Sequence, residues 1–185
     1  SADSQEAPPG PSQSEGPLPR QEAIAIVDTA PGIGRRTAEL VLAEIGIDMS
    51  RFASARHLVS WAKVCPGNNE SAGKRYSGRT GQGNAWLRSG LVQAAHAAIK
   101  VKGSYPAGLY HRLVGRLGHR RAIIAVVHHL LTAIYHMLRN REPYKDLGAA
   151  YADEYRKDRL VNRLRYRLEN LGYQVTLRPV VTVGP

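Results

Sequence analysis

The sequence predicts a mainly α fold, a compact helical domain, and three observations carry that prediction. Apolar residues recur at three- and four-residue spacing in several stretches, most clearly Ala38, Leu42 and Ile45, and later Ile123, Val126, Val127, Leu130, Leu131, Ile134 and Leu138. Helix starts and stops stand at the ends of such stretches: Gly46 and Gly172 as stops, Ser54 and Asn84 as N-caps. The only alternating run is short and near the C-terminus, at 173–177. Within this fold the sequence also predicts a helix-hairpin-helix-like turn, a Gly/Ser-rich loop and a short C-terminal strand.

In order along the chain, residues 1–20 form a Pro/Ser-rich head with too little apolar surface to bury, and disorder is expected there. A short helix is expected over 21–29, then a turn at Pro31-Gly32-Ile33-Gly34, then a helix over 35–45. Ser54 opens a further helix that runs to about 63. Residues 65–82 are loop by composition, and a loop that long inside a compact domain commonly carries function. Helices follow over 84–100, 106–117 and 120–139. A charged helix at 153–170 and the strand at 173–177 close the chain. The natural division is a head at 1–20, a main domain at 21–141, and a charged helix and tail at 142–185.

The charge is strongly uneven. The net charge is +11 and the isoelectric point about 10.2, which points to a polyanionic partner. Residues 1–30 nevertheless hold one base, Arg20, against five acids. After Glu70 the next acid is Glu142, and twelve Lys or Arg residues lie between them. A solvated surface normally mixes both signs. A stretch of one sign suits phosphate, although a merely basic surface is the plainer alternative.

Other classes are excluded or disfavoured. One cysteine, Cys65, allows neither an internal disulfide nor a multi-cysteine zinc site. No apolar run of about 18 residues is present, so no transmembrane helix is expected, and the N-terminus lacks a signal-peptide pattern. A cytoplasmic protein without a membrane partner is expected. The seven histidines, among them His111, His119, His128, His129 and His136, show no metal-ligand spacing. The acid-free centre speaks against a Ser-His-acid hydrolase.

Three motifs stand out. In Pro31-Gly32-Ile33-Gly34 the glycines permit a tight turn, and free amides at the start of the next helix can take a phosphate, with Arg35 and Arg36 beside them. This is a helix-hairpin-helix signature, and a tight turn that packs only protein is the alternative. In Asn69-Glu70-Ser71-Ala72-Gly73-Lys74-Arg75, Ser71 has small neighbours for access and cations nearby, as a nucleophile at a phosphate requires. A plain turn serine is the alternative, and Ser77 is a weaker candidate. The loop is not a Walker A motif. In Gly83-Asn84-Ala85-Trp86-Leu87-Arg88, Asn84 caps a helix, Trp86 and Leu87 supply packing, and Arg88 reaches for a phosphate or is simply solvated.

These motifs in this order resemble the C-terminal domain of the IS one-ten / one-sixteen / nine-oh-two insertion-sequence transposases. Phe52, His57-Leu58-Val59-Ser60-Trp61-Ala62, Cys65-Pro66-Gly67-Asn68, Tyr144, Asp146-Leu147-Gly148-Ala149 and Leu171-Gly172-Tyr173 continue the match, over about residues 22–178. The resemblance implies a DNA recombinase guided by a structured bridge RNA. It implies a RuvC-like domain whose carboxylates hold divalent metal (Mg), and Ser71 as the nucleophile that forms a phosphoserine link to DNA. It implies no cofactor bound by the present residues, DNA and guide RNA as partners, a RuvC-like domain in cis or trans, and a homo-oligomer in the full-length protein. Gly32, Gly34, Arg35, Arg36, Lys74, Arg75, Arg79, Asn84 and Arg88 are the candidate nucleic-acid contacts.

Two departures from the family pattern stand in this sequence. No RuvC-like half is present, so full strand exchange by this chain alone is not expected. Gly81-Gln82 replaces residues that are commonly basic, and Lys63 stands where glycine is usual. The competing expectation is a non-enzymatic nucleic-acid-binding module, an inactive relic of a transposase.

Overall fold

The computed structural model describes residues 16–64, 69–71, 74–77, 83–151, 154 and 157–178. Among them stand seven α-helices: α1 (Arg20–Asp28), α2 (Arg35–Ile45), α3 (Ala55–Trp61), α4 (Ala85–Ala98), α5 (Tyr105–Leu117), α6 (His119–Asn140) and α7 (Lys157–Asn170). A 3-10 turn, Met49–Arg51, joins α2 to α3. Most of the expected head, including Asp3, Glu6 and Glu15, lies outside the described residues.

The core is built around α6. Its 22 residues bury Ile123, Val126, Val127, Leu130, Leu131 and Ile134. Helices α1, α3, α4 and α5 and the 3-10 turn all pack on it. Tyr135 is buried as well and donates its hydroxyl to the Phe52 carbonyl at 3.2 Å. By length and composition alone α6 is long and apolar enough to cross a membrane, contrary to the expectation of no such helix. Yet 56% of that window is buried inside the protein. An apolar helix enclosed by its neighbours is a core helix.

Capping fixes the element boundaries. Ser54 accepts from the His57 amide, Asn84 from the Leu87 amide and Ser104 from the Ala107 amide, each at a helix start. Gly46 follows α2 with φ +78°, a conformation that favours glycine.

The segment after α6 is a strap. Tyr144 donates its amide to Thr29 Oγ1 at 2.8 Å, at the end of α1. The Asp146 carboxylate accepts from the Tyr105 amide at 2.8 Å and so caps α5 from outside, besides taking the Gly148 amide at 2.7 Å. The Ala149 amide bonds to the Gly103 carbonyl at 2.8 Å. This is the structural content of the Tyr144 and Asp146-Leu147-Gly148-Ala149 motif.

Two expectations are corrected. Residues 173–177 form no strand: Tyr173 and Leu177 are exposed and no described strand lies beside them. Alternation alone does not make a strand where no partner completes the ladder. Trp86 does not pack in the core. It is 72% exposed, while Leu87 beside it is buried, because α4 buries the face through Leu87, Leu91, Ala94, Ala95 and Ala98.

Candidate nucleic-acid interface

The hairpin of α1 and α2 turns at Ala30–Gly34, with the Ile33 amide bonded to the Ala30 carbonyl at 3.0 Å and Ile33 itself buried. The two glycines differ in role. Gly32 has φ +78°, and a Cβ there would meet the Ala94 carbonyl oxygen at 2.2 Å and the Ala98 nitrogen at 2.5 Å. Its close approach is therefore to α4 of the same chain. Gly34 is exposed, a Cβ built on it would meet nothing within 4 Å, and it precedes α2 without a side-chain cap. The amides of the first turn of α2 are left for solvent or a ligand.

Arg35 and Arg36 diverge. Arg35 bonds to Glu39 at 3.2 Å and to the Gln21 side-chain oxygen at 3.1 Å, an exposed arrangement along the hairpin. Arg36 turns to the other side, onto a groove between α2 and α4. Thr37 and Leu40 line the α2 side of that groove, and Trp86, Ser89 and Gln93 the α4 side. These α4 positions recur at three- and four-residue spacing, a second stripe beside the core stripe. Gly90 lies between them, and a Cβ there would meet Leu40 Cδ2 at 2.4 Å. The missing side chain lets the two helices close to form the groove floor. Its volume is about 220 Å³.

Asn84 sits near one end of α4 with both ends of its carboxamide engaged. The oxygen accepts from the Leu87 amide at 3.0 Å, and the nitrogen donates to Glu44 on α2. It ties α4 to α2. Arg88 is half-buried one turn further along α4.

Ser71 is the last residue of the first of two short strands, β1 (Asn69–Ser71) and β2 (Lys74–Ser77). They pair antiparallel, with Ser71 opposite Lys74, Glu70 opposite Arg75 and Asn69 opposite Ser77, and a register irregularity between Asn69 and Glu70. The segment read as loop thus contains a hairpin. Arg79 and Gly81-Gln82 lie outside the described residues. Residues on either side of the segment are tightly fixed: a Cβ on Gly83 would stand 2.3 Å from the Ala62 carbonyl oxygen.

A third cluster lies under the strap. His129 stacks on Tyr105 with ring centroids 4.6 Å apart and meets the Tyr144 hydroxyl at 3.1 Å. Burial lowers the His129 pKa to about 4, against a weaker opposing effect of Asp146. Burial likewise raises that of Tyr144. Arg112 sits over the Tyr105 ring at 5.7 Å. Among the described residues, no three His, Cys, Asp or Glu side chains stand together as a metal site.

The structure thus brings Arg36 and the α4 stripe together, and ties Asn84 to Glu44. It sets Gly32, itself partly exposed, against α4. Trp86, Thr37, Ser89 and Gln93 were missed as functional candidates. The signal that could have found Trp86 is its place one residue before Leu87, since two neighbours on a helix cannot both face the core.

Residues 24–111 match the model of the Transposase IS116/IS110/IS902 family. The chain is 34% identical over 127 residues to the pilin gene-inverting protein of Moraxella bovis, an alignment that covers 65% of this chain and 38% of that protein. The pilin gene-inverting protein of Moraxella lacunata is equally similar, at 34% identity over 127 residues. A protein of Streptomyces coelicolor named for the IS117 mini-circle is 31% identical over 119 residues, covering 64% of this chain and 29% of its own length. The chain therefore spans less than two fifths of the relatives it matches.

Proposed function

We propose, from the match of residues 24–111 to the Transposase IS116/IS110/IS902 family model, that the chain is the serine-bearing C-terminal part of a DNA recombinase that acts in DNA transposition. DNA is the partner that this family match implies. Ser71 is the nucleophile of this reading. Its Oγ forms a bond to a DNA phosphorus, one P–O ester bond breaks, and the released strand end takes the proton as a hydroxyl. The covalent phosphoserine link keeps the bond energy for rejoining. Lys74 and Arg75 counter the charge that grows on the phosphate, as would Arg79 and Arg88.

The observation that supports this most directly is the backbone register, which pairs Ser71 with Lys74 at the closed end of the β1–β2 hairpin, inside the matched family region. Guide RNA binding, a cytoplasmic location and homo-oligomerisation of the longer protein belong to the same reading. Divalent metal belongs to a RuvC-like domain supplied in cis or trans. No cluster of metal donors stands among the described residues of this chain.

The test is a covalent trap. The chain is mixed with a matching RuvC-like domain, guide RNA, magnesium and labelled DNA, and adducts are resolved on a denaturing gel. Wild type gives a protein–DNA adduct, and Ser71→Ala gives none while still binding DNA. An adduct that survives Ser71→Ala overturns the nucleophile. Binding by the wild type without any adduct favours the binding-only module.

A further inference from the structure

The groove between α2 and α4 has a composition that neither a phosphate-backbone turn nor a packing interface requires. One wall is an indole, Trp86, left 72% exposed on a helix that buries its neighbour Leu87. The opposite wall is Arg36, with Thr37 beside it, in the first turn of α2. The floor is Leu40, reached because position 90 is glycine. Ser89 and Gln93 add hydrogen-bonding groups along the α4 side, and no acid among the described residues lines the groove.

We propose that this groove holds one unpaired nucleobase of DNA or RNA, stacked on Trp86, with its phosphate on Arg36 and the free first-turn amides of α2. The inference rests on the nucleic-acid reading above and adds to it a strand state and a residue. Three features carry it. A flat, exposed indole offers the π-face on which bases stack regardless of sequence. The arginine lines the same groove as that face, and the uncapped helix start that carries it offers amides to an anion. The volume, about 220 Å³, is below the roughly 300 Å³ at which pockets for drug-sized ligands begin, which suits a single planar ring system. The hydroxyl and carboxamide of Ser89 and Gln93 can pair with a base edge, which a base inside a duplex does not present there.

The whole chain is titrated at low salt with labelled dT and U oligonucleotides of about ten nucleotides, within the span that one single-strand site covers, and with a duplex. Anisotropy reads affinity, and quenching of tryptophan emission reads stacking. Trp86→Ala is expected to weaken single-strand binding about tenfold and abolish most of the quenching, with duplex affinity and salt slope kept. Trp86→Phe is expected to retain most of the affinity. The dT and U arms identify the source as DNA or RNA. Trp86→Ala is at an exposed position, so the fold is not at stake. If Trp86→Ala binds single strands as wild type does, or loses duplex and single-strand binding equally, the base site is wrong while the nucleic-acid reading stands. If Trp86→Ala instead abolishes self-association and leaves single-strand affinity intact, the groove is a contact between copies and the proposal fails. If wild type binds neither DNA nor RNA, both readings fall.

Discussion

Gly83 meets Ala62 backbone to backbone: a Cβ built on Gly83 would lie 2.3 Å from the Ala62 carbonyl oxygen. Ala62 follows α3 and Gly83 precedes α4, so this contact closes the base of the segment that carries Ser71. The obstacle is backbone, which cannot swing aside as a side-chain tip can. Gly83→Ala is therefore expected to cost about 1–3 kcal/mol, as forced overpacking does. A melting temperature lower by several degrees checks it. A variant that melts like wild type would show that the loop base is not closed in this way.

Lys63, the next residue after Ala62, has φ +55°, in the left-handed region. A side chain there costs about 1–2 kcal/mol, which glycine avoids at some cost in chain entropy. Lys63→Gly is expected to stabilise the protein by up to about 1 kcal/mol, or a melting temperature a few degrees higher. The family resemblance pointed to glycine as usual at this position without giving a reason, and the dihedral supplies one. Thermal unfolding of the two proteins side by side decides it, and a lower melting temperature for the glycine variant would refute it.

Asn84 combines a helix cap with a bond to Glu44 on another helix. Asn84→Ala loses both and leaves Glu44 without this partner. A cap alone is worth typically about 1 kcal/mol, so a loss of about 1–2 kcal/mol is expected. Asn84→Asp keeps the cap but faces Glu44 with like charge. It should recover less stability at low than at high salt, because salt screens the like charges. Urea midpoints at the two salt concentrations test this, and equal recovery at both would remove Glu44 from the account.

How much of this was legible in the sequence depends on which contact each residue makes. The α2 and α6 stripes were legible because Ala38, Leu42 and Ile45, and Ile123 to Leu138, repeat at the helical period, and that period is local information. The 173–177 strand was not, because a strand depends on a partner that no local pattern reveals. The role of Gly32 was half legible: its positive φ followed from the turn, but its approach to Ala94 and Ala98 depends on α4, a helix distant in sequence. Trp86 was misread because an aromatic beside Leu87 looks like core until the α4 stripe is laid out. The pairing of Ser71 with Lys74 was not legible, because it is a property of the hairpin and not of the loop-like composition around it.

His129 should make stability depend on pH. Its ordinary pKa of 6.5 falls to about 4 in the folded protein, chiefly through burial. The groups that face it are the Tyr144 hydroxyl, the Tyr105 ring, Asp146 and His128, and burial lowers the His128 pKa as well. The unfolded chain therefore takes up a proton near 6.5, and the folded chain does so only near 4. The unfolded state binds more protons in that window, so stability falls as pH drops through it. The expected loss is on the order of 2–3 kcal/mol between about pH 6.5 and pH 4, from about 1.4 kcal/mol per pKa unit. His129→Gln keeps a polar group toward Tyr144 and cannot ionise, so its stability curve should be flatter over the same window. Chemical denaturation of both proteins at half-unit pH steps measures the difference. Parallel curves for the two would show that the histidine under the strap does not set the acid limit, and would leave the carboxylates to account for it.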